Sequence, residues 1–302
     1  MPEGVRLNVD DPAKITRHIK KIATYFGASK VGICKLDRRW VYSHTFPDAK
    51  KTSTGEFDKP PESTPQEIPE EFKYAIVMCF EEDYEMLRYW PSYIAAAEFS
   101  RGYSHMAFTN LLFSAFIENL GFKVIDGTTN DVAISTPMAM QAGLGELGRN
   151  GLLITPEFGP RVRISKILTD LPLVPDSPIE FGVTDFCDVC MKCAEFCPSR
   201  AISHEERTTE PQNVSNTAGG LKWPINAEQC RMYWSKKKAT CGICVSVCPF
   251  NKPNTSFHRM VRWFVDHMRW GDRYYVKMDD IFGYGKRRKP DNFWEEWKPK
   301  IS

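Results

Sequence analysis

The 302-residue sequence predicts an α+β chain built around a central sheet, followed by a small domain built on cysteines. Two observations carry this. Helical and strand periodicities alternate between frequent turn signals over residues 1–180, and eight of the ten cysteines fall between positions 187 and 248. A third bounds the class. Apolar residues make up 42% of the chain and charged residues 26%, so neither disorder nor a fibrous repeat is indicated.

The elements follow in order. Asp11-Pro12 opens an amphipathic helix with Ile15, Ile19, Ile22 and Phe26 on one face; Asp11 is its N-cap and Gly27 its stop. Val31–Cys34 reads as a short buried strand, and the polar, Pro-rich residues 43–70 as a surface loop. Tyr74–Phe80 is a second buried strand, because it is a short continuous apolar run. Residues 93–120 have helical spacing and end at Gly121. Strands are expected at 123–125 and 132–134 around a Gly127-Thr-Thr-Asn130 turn, and again at 163–168. Between them lies a Gly-studded stretch, Ala142-Gly-Leu-Gly-Glu-Leu-Gly-Arg-Asn-Gly151. The domain boundaries read as 1–180 for the α+β part and 181–260 for the cysteine part, with a polar insertion at 204–222. The aromatic tail 261–302 is expected to pack back on the larger domain. Cys34 and Cys79, alone in apolar runs, read as buried structural thiols.

Charge and hydropathy exclude other classes. Forty Lys and Arg stand against 38 acids, a net charge of +2, too small a footprint for nucleic acid or an anionic membrane. No run of about 18 uncharged apolar residues exists to form a spanning helix, and the first thirty residues show no apolar signal-peptide region.

The cysteines fall in two runs. The first is Cys187-x2-Cys190-x2-Cys193-x3-Cys197-Pro198, the bacterial ferredoxin spacing for a 4Fe–4S cluster, whose fourth cysteine serves the other cluster. Three thiols two residues apart on a tight loop can reach three irons of one cube, while the fourth is carried away. The second run, Cys230-x10-Cys241-x2-Cys244-x3-Cys248-Pro249, repeats the pattern with a longer first spacing. Cys187, Cys190, Cys193 and Cys248 are therefore assigned to one cluster, and Cys197, Cys230, Cys241 and Cys244 to the other. Zinc is the competing reading. It favours paired Cys-x2-Cys motifs with four ligands per site, which two interlocked runs ending in Cys-Pro do not resemble. Clusters alone make an electron carrier, so any chemistry must come from the larger domain.

Several stretches together resemble the catalytic subunit of reductive dehalogenases, a corrinoid and iron–sulfur family related to epoxyqueuosine reductase. They are Ala142–Arg161, Thr169-Asp-Leu-Pro-Leu173, the two cysteine runs, Cys230-x3-Trp234 and Phe282-Gly-Tyr-Gly285. The similarity runs from about Asp11 to about Trp297. It implies a nitroreductase-like cobalamin-binding domain beside a ferredoxin-like domain with two 4Fe–4S clusters, and replacement of carbon–halogen by carbon–hydrogen in a small organohalide. It also implies an electron donor, either a reduced carrier or a quinol-linked one, a small membrane anchor protein, and no nucleic acid.

Residue by residue, the resemblance makes Tyr103 the proton donor and Arg163 the cation that lowers its pKa, with Asn130 the polar residue beside it. A free tyrosine has a pKa of about 10, and a neighbouring guanidinium stabilises its phenolate. Without the family, Tyr103 reads as a core residue on a long helix and Arg163 as half of a structural ion pair. Gly143, Gly145 and Gly148 are expected at the corrinoid, where missing side chains allow close backbone approach, or as ordinary turn glycines. No Asp-x-His-x-x-Gly motif is present, which fits base-off binding with no protein ligand to cobalt. His105 reads as structural, Trp234 as a pocket wall, and Lys286–Lys289 as a solvated segment.

Typical family members begin with a twin-arginine export signal and a further N-terminal stretch that supplies part of the pocket wall. They face outward on the cytoplasmic membrane. Against that pattern the corrinoid domain here reads as N-terminally short, and its localisation stays open between export and cytoplasm. Two rivals remain. One is an epoxyqueuosine-reductase-like tRNA-modifying enzyme, which has an Asp in an Asp-Tyr-His context where this chain has Tyr103-Ser-His105, and which lacks the Phe282-Gly-Tyr-Gly285 ending. The other is a plain two-cluster electron-transfer subunit.

Overall fold

The computed structural model describes residues 6–45, 63–129 and 131–296. The chain forms two compact units, one of Met1–Cys79, Met106–Gly143 and Ile164–Pro178, the other of Phe80–His105, Leu144–Arg163 and Ile179–Ser302. The α+β expectation holds. Segments 80–105 and 144–163, which precede position 180, cluster with the cysteine part.

In the first unit, α1 (Pro12–Tyr25) starts where its cap demands. The Asp11 carboxylate accepts from the Lys14 N–H at 2.9 Å, and Gly27, at φ 120°, takes the left-handed turn that ends the helix. Ile19 and Ala23 form its buried face. β1 (Lys30–Lys35) runs antiparallel to β2 (Tyr74–Glu81), with Lys30 opposite Cys79 and Lys35 opposite Tyr74. β3 (Val124–Gly127) pairs with β4 (Val162–Thr169), and the sheet order is β1-β2-β4-β3. The unbroken apolar run of β2 is explained by its inner place in the sheet, where Ala75 to Phe80 are all buried. Cys34 and Cys79 are buried as expected, and burial pushes the Cys34 thiol up to about 12. The long helix α2 (Tyr93–Asn119) stops before Gly121, and α3 (Ser135–Gln141) follows.

The strand expected at 132–134 does not form. Ser135 already begins α3, leaving three residues that make a single bridge. Tyr42 N–H donates to the Val132 carbonyl at 3.1 Å and Ile134 N–H to the Trp40 carbonyl at 2.9 Å. Within the 43–70 loop, His44–Thr45 pairs with Thr64–Pro65, and residues 46–62 lie outside the described ones.

Lys166 on β4 is fully buried. Its ammonium donates to the carbonyls of Gly127 (3.3 Å) and Thr129 and to the Ser135 hydroxyl (3.1 Å). Burial lowers its pKa from 10.5 to about 8, and Asp131 and Asp126 oppose the shift. Below about pH 8 both folded and unfolded chains hold this proton, and the burial penalty is in full force. Between about 8 and 10.5 the unfolded chain holds more protons, so stability rises with pH. The span corresponds to about 3 kcal/mol. Thermal melts at pH 7.5 and 10 should show the stability deficit of the wild type relative to Lys166→Met shrink as pH rises, a difference in which the titration of all other groups cancels.

The second unit carries six helices used below: α4 (Val183–Cys190), α5 (Lys192–Glu195), α6 (Ala227–Lys237), α7 (Ile243–Ser246), α8 (Ser256–His267) and α9 (Asp272–Ile281). Its core gathers Ile154, Val183, Phe186, Phe250 and Val265 with Cys248. The Gly-studded stretch folds back on itself as a small ladder, Glu146–Leu147 against Leu153–Ile154. The buried Glu146 carboxylate accepts from the N–H groups of Phe181 and Val183, which anchors the start of α4. The aromatic tail packs within this unit. α9 lies against α4, and Phe293 meets Tyr89 edge-on at 5.1 Å. Among the described residues no helix is long and apolar enough to cross a membrane.

Candidate functional site

Local backbone geometry delivers the thiols. α4 carries Cys187 and Cys190 three residues apart, on one face of the helix. Met191, at φ 50°, turns the chain sharply into α5, which presents Cys193. Cys248 arrives from the far run and is buried. These four thiols line one cavity together with Gly148, Ile154, Phe186 and Phe250. The thiols acting on Cys193 are, from the strongest, Cys248, Cys187, Cys244 and Cys190, and those acting on Cys244 are Cys241, Cys230, Cys197 and Cys248. The strongest couplings thus fall within each group, while Cys193 and Cys244 also feel one thiol of the neighbouring group. Cys230 and Cys241 likewise feel Cys197. Cys187, Cys190, Cys193 and Cys248 thus share one cavity, and Cys197, Cys230 and Cys241 are the thiols that act most strongly on Cys244.

Burial first, and then repulsion among the sulfurs, raises the thiol pKa values, Cys190 to about 12 and Cys244 further. Free thiols at such positions keep their protons, and a bound positive metal centre favours the thiolates instead. All ten cysteines are free of disulfides. A zinc ion needs four sulfurs converging to about 2.3 Å from one point. Among the described residues no group of three Cys, His or acid side chains converges on a single ion. The donor set fits clusters.

Arg149 braces the first group. It is buried, its Nε donates to the Cys187 carbonyl at 3.0 Å, and its Nη1 donates to the carbonyls of Ser203 (2.9 Å) and Glu205 (3.1 Å). Its guanidinium stacks on Trp223 at 4.7 Å. This arginine comes from the Gly-studded stretch, whose glycines the chain itself uses. A Cβ on Gly143 would fall 2.5 Å from the Ser177 carbonyl oxygen, and one on Gly145 would fall 2.1 Å from that of Ile154. One on Gly148 would meet the Asn150 Oδ1 at 2.8 Å. All three are thus explained as packing glycines.

Tyr103 lies on α2, and Phe99, one helical turn earlier, packs against its ring at a tilt of 57°, with centroids 4.9 Å apart. The Arg163 guanidinium covers both rings, 3.7 Å from the Phe99 centroid and 5.0 Å from that of Tyr103. Its Nε donates to Glu82 Oε1 at 2.8 Å. Glu82 is 3% exposed; burial raises its carboxyl pKa, and Arg163 works against that. Arg163 is therefore clamped between a buried carboxylate and two aromatic faces, with its positive charge held over Tyr103. Tyr103 is 37% exposed, so a small molecule can reach it. Its hydroxyl makes no hydrogen bond among the described residues. Asn130 lies outside those residues.

Glu82, Gly102 and Phe99 were not singled out by the sequence. A glycine inside a helix costs about 1 kcal/mol against alanine, which makes Gly102 a signal. A Cβ there would press on Arg163 Cγ at 3.1 Å. An acidic pair at the end of an apolar strand, Glu81-Glu82, is the signal for the other. Trp234 shares a face of α6 with Cys230 and meets Phe99 edge-on at 6.0 Å, so side chains link the second thiol group to the tyrosine. His105 packs edge-on to Phe80, consistent with a structural role.

Such an arrangement defines a two-cluster iron–sulfur protein, and residues 186–251 match the family model described as a 4Fe-4S double cluster binding domain. Over 307 residues the chain is 39% identical to the tetrachloroethene reductive dehalogenase of Sulfurospirillum multivorans, which covers 97% of this chain and 60% of that protein. A solved reductive dehalogenase, whose structure suggests a mechanism for B12-dependent dehalogenation, superposes with a TM-score of 0.79 at 27% identity. The match covers 95% of this chain and 38% of that one. The epoxyqueuosine reductase of Lactococcus garvieae (strain Lg2) is 30% identical over 156 residues, 46% of this chain and 37% of that protein. The chain is similar to the reductive dehalogenases along nearly its whole length, and it spans about 60% of the curated relative's length.

Proposed function

We propose that the protein works as a reductive dehalogenase, removing halide from an organohalide with electrons passed through two 4Fe–4S clusters. The observation that carries this is the Arg163 guanidinium held over an accessible Tyr103 in the unit that also gathers both thiol groups. The thiols of Cys187, Cys190, Cys193 and Cys248 hold one cluster, and those of Cys197, Cys230, Cys241 and Cys244 hold the other. When bound, the clusters supply single electrons and a base-off cobalamin supplies the reducing metal centre. The chain's own residues manage the proton. Tyr103 holds it at the phenol oxygen and gives it to carbon as the halide leaves. Arg163 stabilises the phenolate left behind. An electron donor, and a membrane anchor protein of the kind the family uses, complete the system.

Glu82 is the positioning residue in this scheme. Glu82→Ala frees Arg163 to leave the tyrosine ring, and displacement of about 1 Å can cost about 100-fold in rate. Halide release should fall on that scale with iron content unchanged. The reading itself is tested by anaerobic reconstitution with iron, sulfide and cobalamin, followed by halide release from chlorinated and brominated alkanes, alkenes and aromatics. Release supports it. Bound corrinoid with no release from the panel, but reduction of epoxyqueuosine in a tRNA stem-loop, would replace it with the epoxyqueuosine-reductase reading. Iron and sulfide without corrinoid bands would reduce the protein to an electron-transfer subunit.

A further inference from the structure

Three charged side chains are buried together beside the first group of thiols. Lys192 on α5 is 4% exposed, Lys252, four residues beyond Cys248, is 8% exposed, and Asp279 on α9 is 5% exposed. Asp279 bridges the lysines, with Oδ2 2.5 Å from the Lys192 Nζ and Oδ1 2.7 Å from the Lys252 Nζ. Asp280 also reaches Lys192, at 2.6 Å, but its side chain is largely exposed and water screens it. The buried sum is one positive charge. Burial works against the Lys192 ammonium, yet its aspartate hydrogen bonds win and raise its pKa. Burial pulls Lys252 down, and Asp279 opposes that.

The Phe282-Gly-Tyr-Gly285 motif closes over this network. The Tyr284 ring lies 4.7 Å from the Lys252 Nζ, its hydroxyl hydrogen-bonds His258 Nε2 at 3.0 Å, and Gly285 runs alongside Val247 and Lys192. The charges act on one thiol group. Lys192 favours the thiolate of Cys190 and Lys252 that of Cys248, with Asp279 opposing both. The charged groups acting on Cys230, Cys241 and Cys244 are other thiols.

We infer that the Lys192–Asp279–Lys252 network selectively raises the reduction potential of the cluster held by Cys187, Cys190, Cys193 and Cys248. Reducing a cluster adds negative charge, and a fixed cation in a low-dielectric surround lowers the cost of that electron. The network thus sets how a single electron divides between the two clusters. The inference deepens the proposed function but rests only on its two-cluster part, since neither corrinoid nor organohalide enters it.

The test is an EPR-monitored redox titration of the reconstituted protein. Lys252→Met should move one of the two midpoints to lower potential and leave the other in place, while Lys252→Arg, which keeps the charge, should stay near the wild type. An unmoved midpoint in the methionine variant, an equal movement of both midpoints, or an arginine variant displaced as far as the methionine one would overturn the inference. If Lys252→Met fails to assemble clusters, Lys192→Met carries the same comparison under the same criteria. Wild-type protein that takes up no clusters would instead overturn the two-cluster reading, and the inference with it.

Discussion

Tyr103→Phe is expected to lower halide release by about 10²–10⁴-fold, the range that a positioned proton donor contributes. The substitution removes one oxygen and keeps the ring. The tilted Phe99 contact at 4.9 Å and the Arg163 cover at 5.0 Å both act on that ring, so the local packing survives. The hydroxyl makes no hydrogen bond among the described residues, so its removal strands no buried partner and stability should hardly change. Iron and corrinoid content should therefore equal the wild type, and the loss should appear in turnover alone. A tyrosine that served only as packing would give the opposite result. The phenylalanine variant would then keep full activity, and Tyr103 would leave the mechanism.

What the sequence made legible follows from where the determining forces lie. α1 could be read because its cap, first-turn proline and stop glycine are all local, within sixteen residues of one another. β2 could be read because an inner strand is apolar on both faces. The grouping of thiols could be read because the reach of a short helical turn limits which sulfurs can share a cluster. The strand at 132–134 failed because local apolar character gives no sign that a helix begins one residue later. Glu82 escaped notice because its partner is Arg163, 81 residues away, and only the fold brings the two together. The glycines at 143, 145 and 148 show the same limit from the other side. Sequence marks a place where backbone approaches something closely, but not whether that something is a ligand or the chain itself. Here the Ser177 and Ile154 carbonyls and the Asn150 side chain fill those places.

The second large effect concerns how the two cysteine runs share their clusters. Cys197 belongs to the first run and Cys241 to the second, yet Cys197 is among the charges acting on Cys241. If the runs interleave, Cys197→Ala combined with Cys241→Ala damages one cluster only, and iron falls from about eight to about four per chain. If each run filled its own cluster, the same pair would damage both and leave almost no iron. Cys193→Ala with Cys197→Ala reverses the logic. These two lie in one run but in different groups, so interleaving predicts nearly complete loss, whereas run-by-run ligation predicts about four irons. Iron and sulfide analysis of the two double variants therefore gives opposite patterns under the two schemes. General misfolding would strip both variants alike, a third pattern that matches neither. The grouping around Cys193 and Cys244 favours interleaving, because Cys248 reaches back to the first group while Cys197 is carried out to meet α6 and α7.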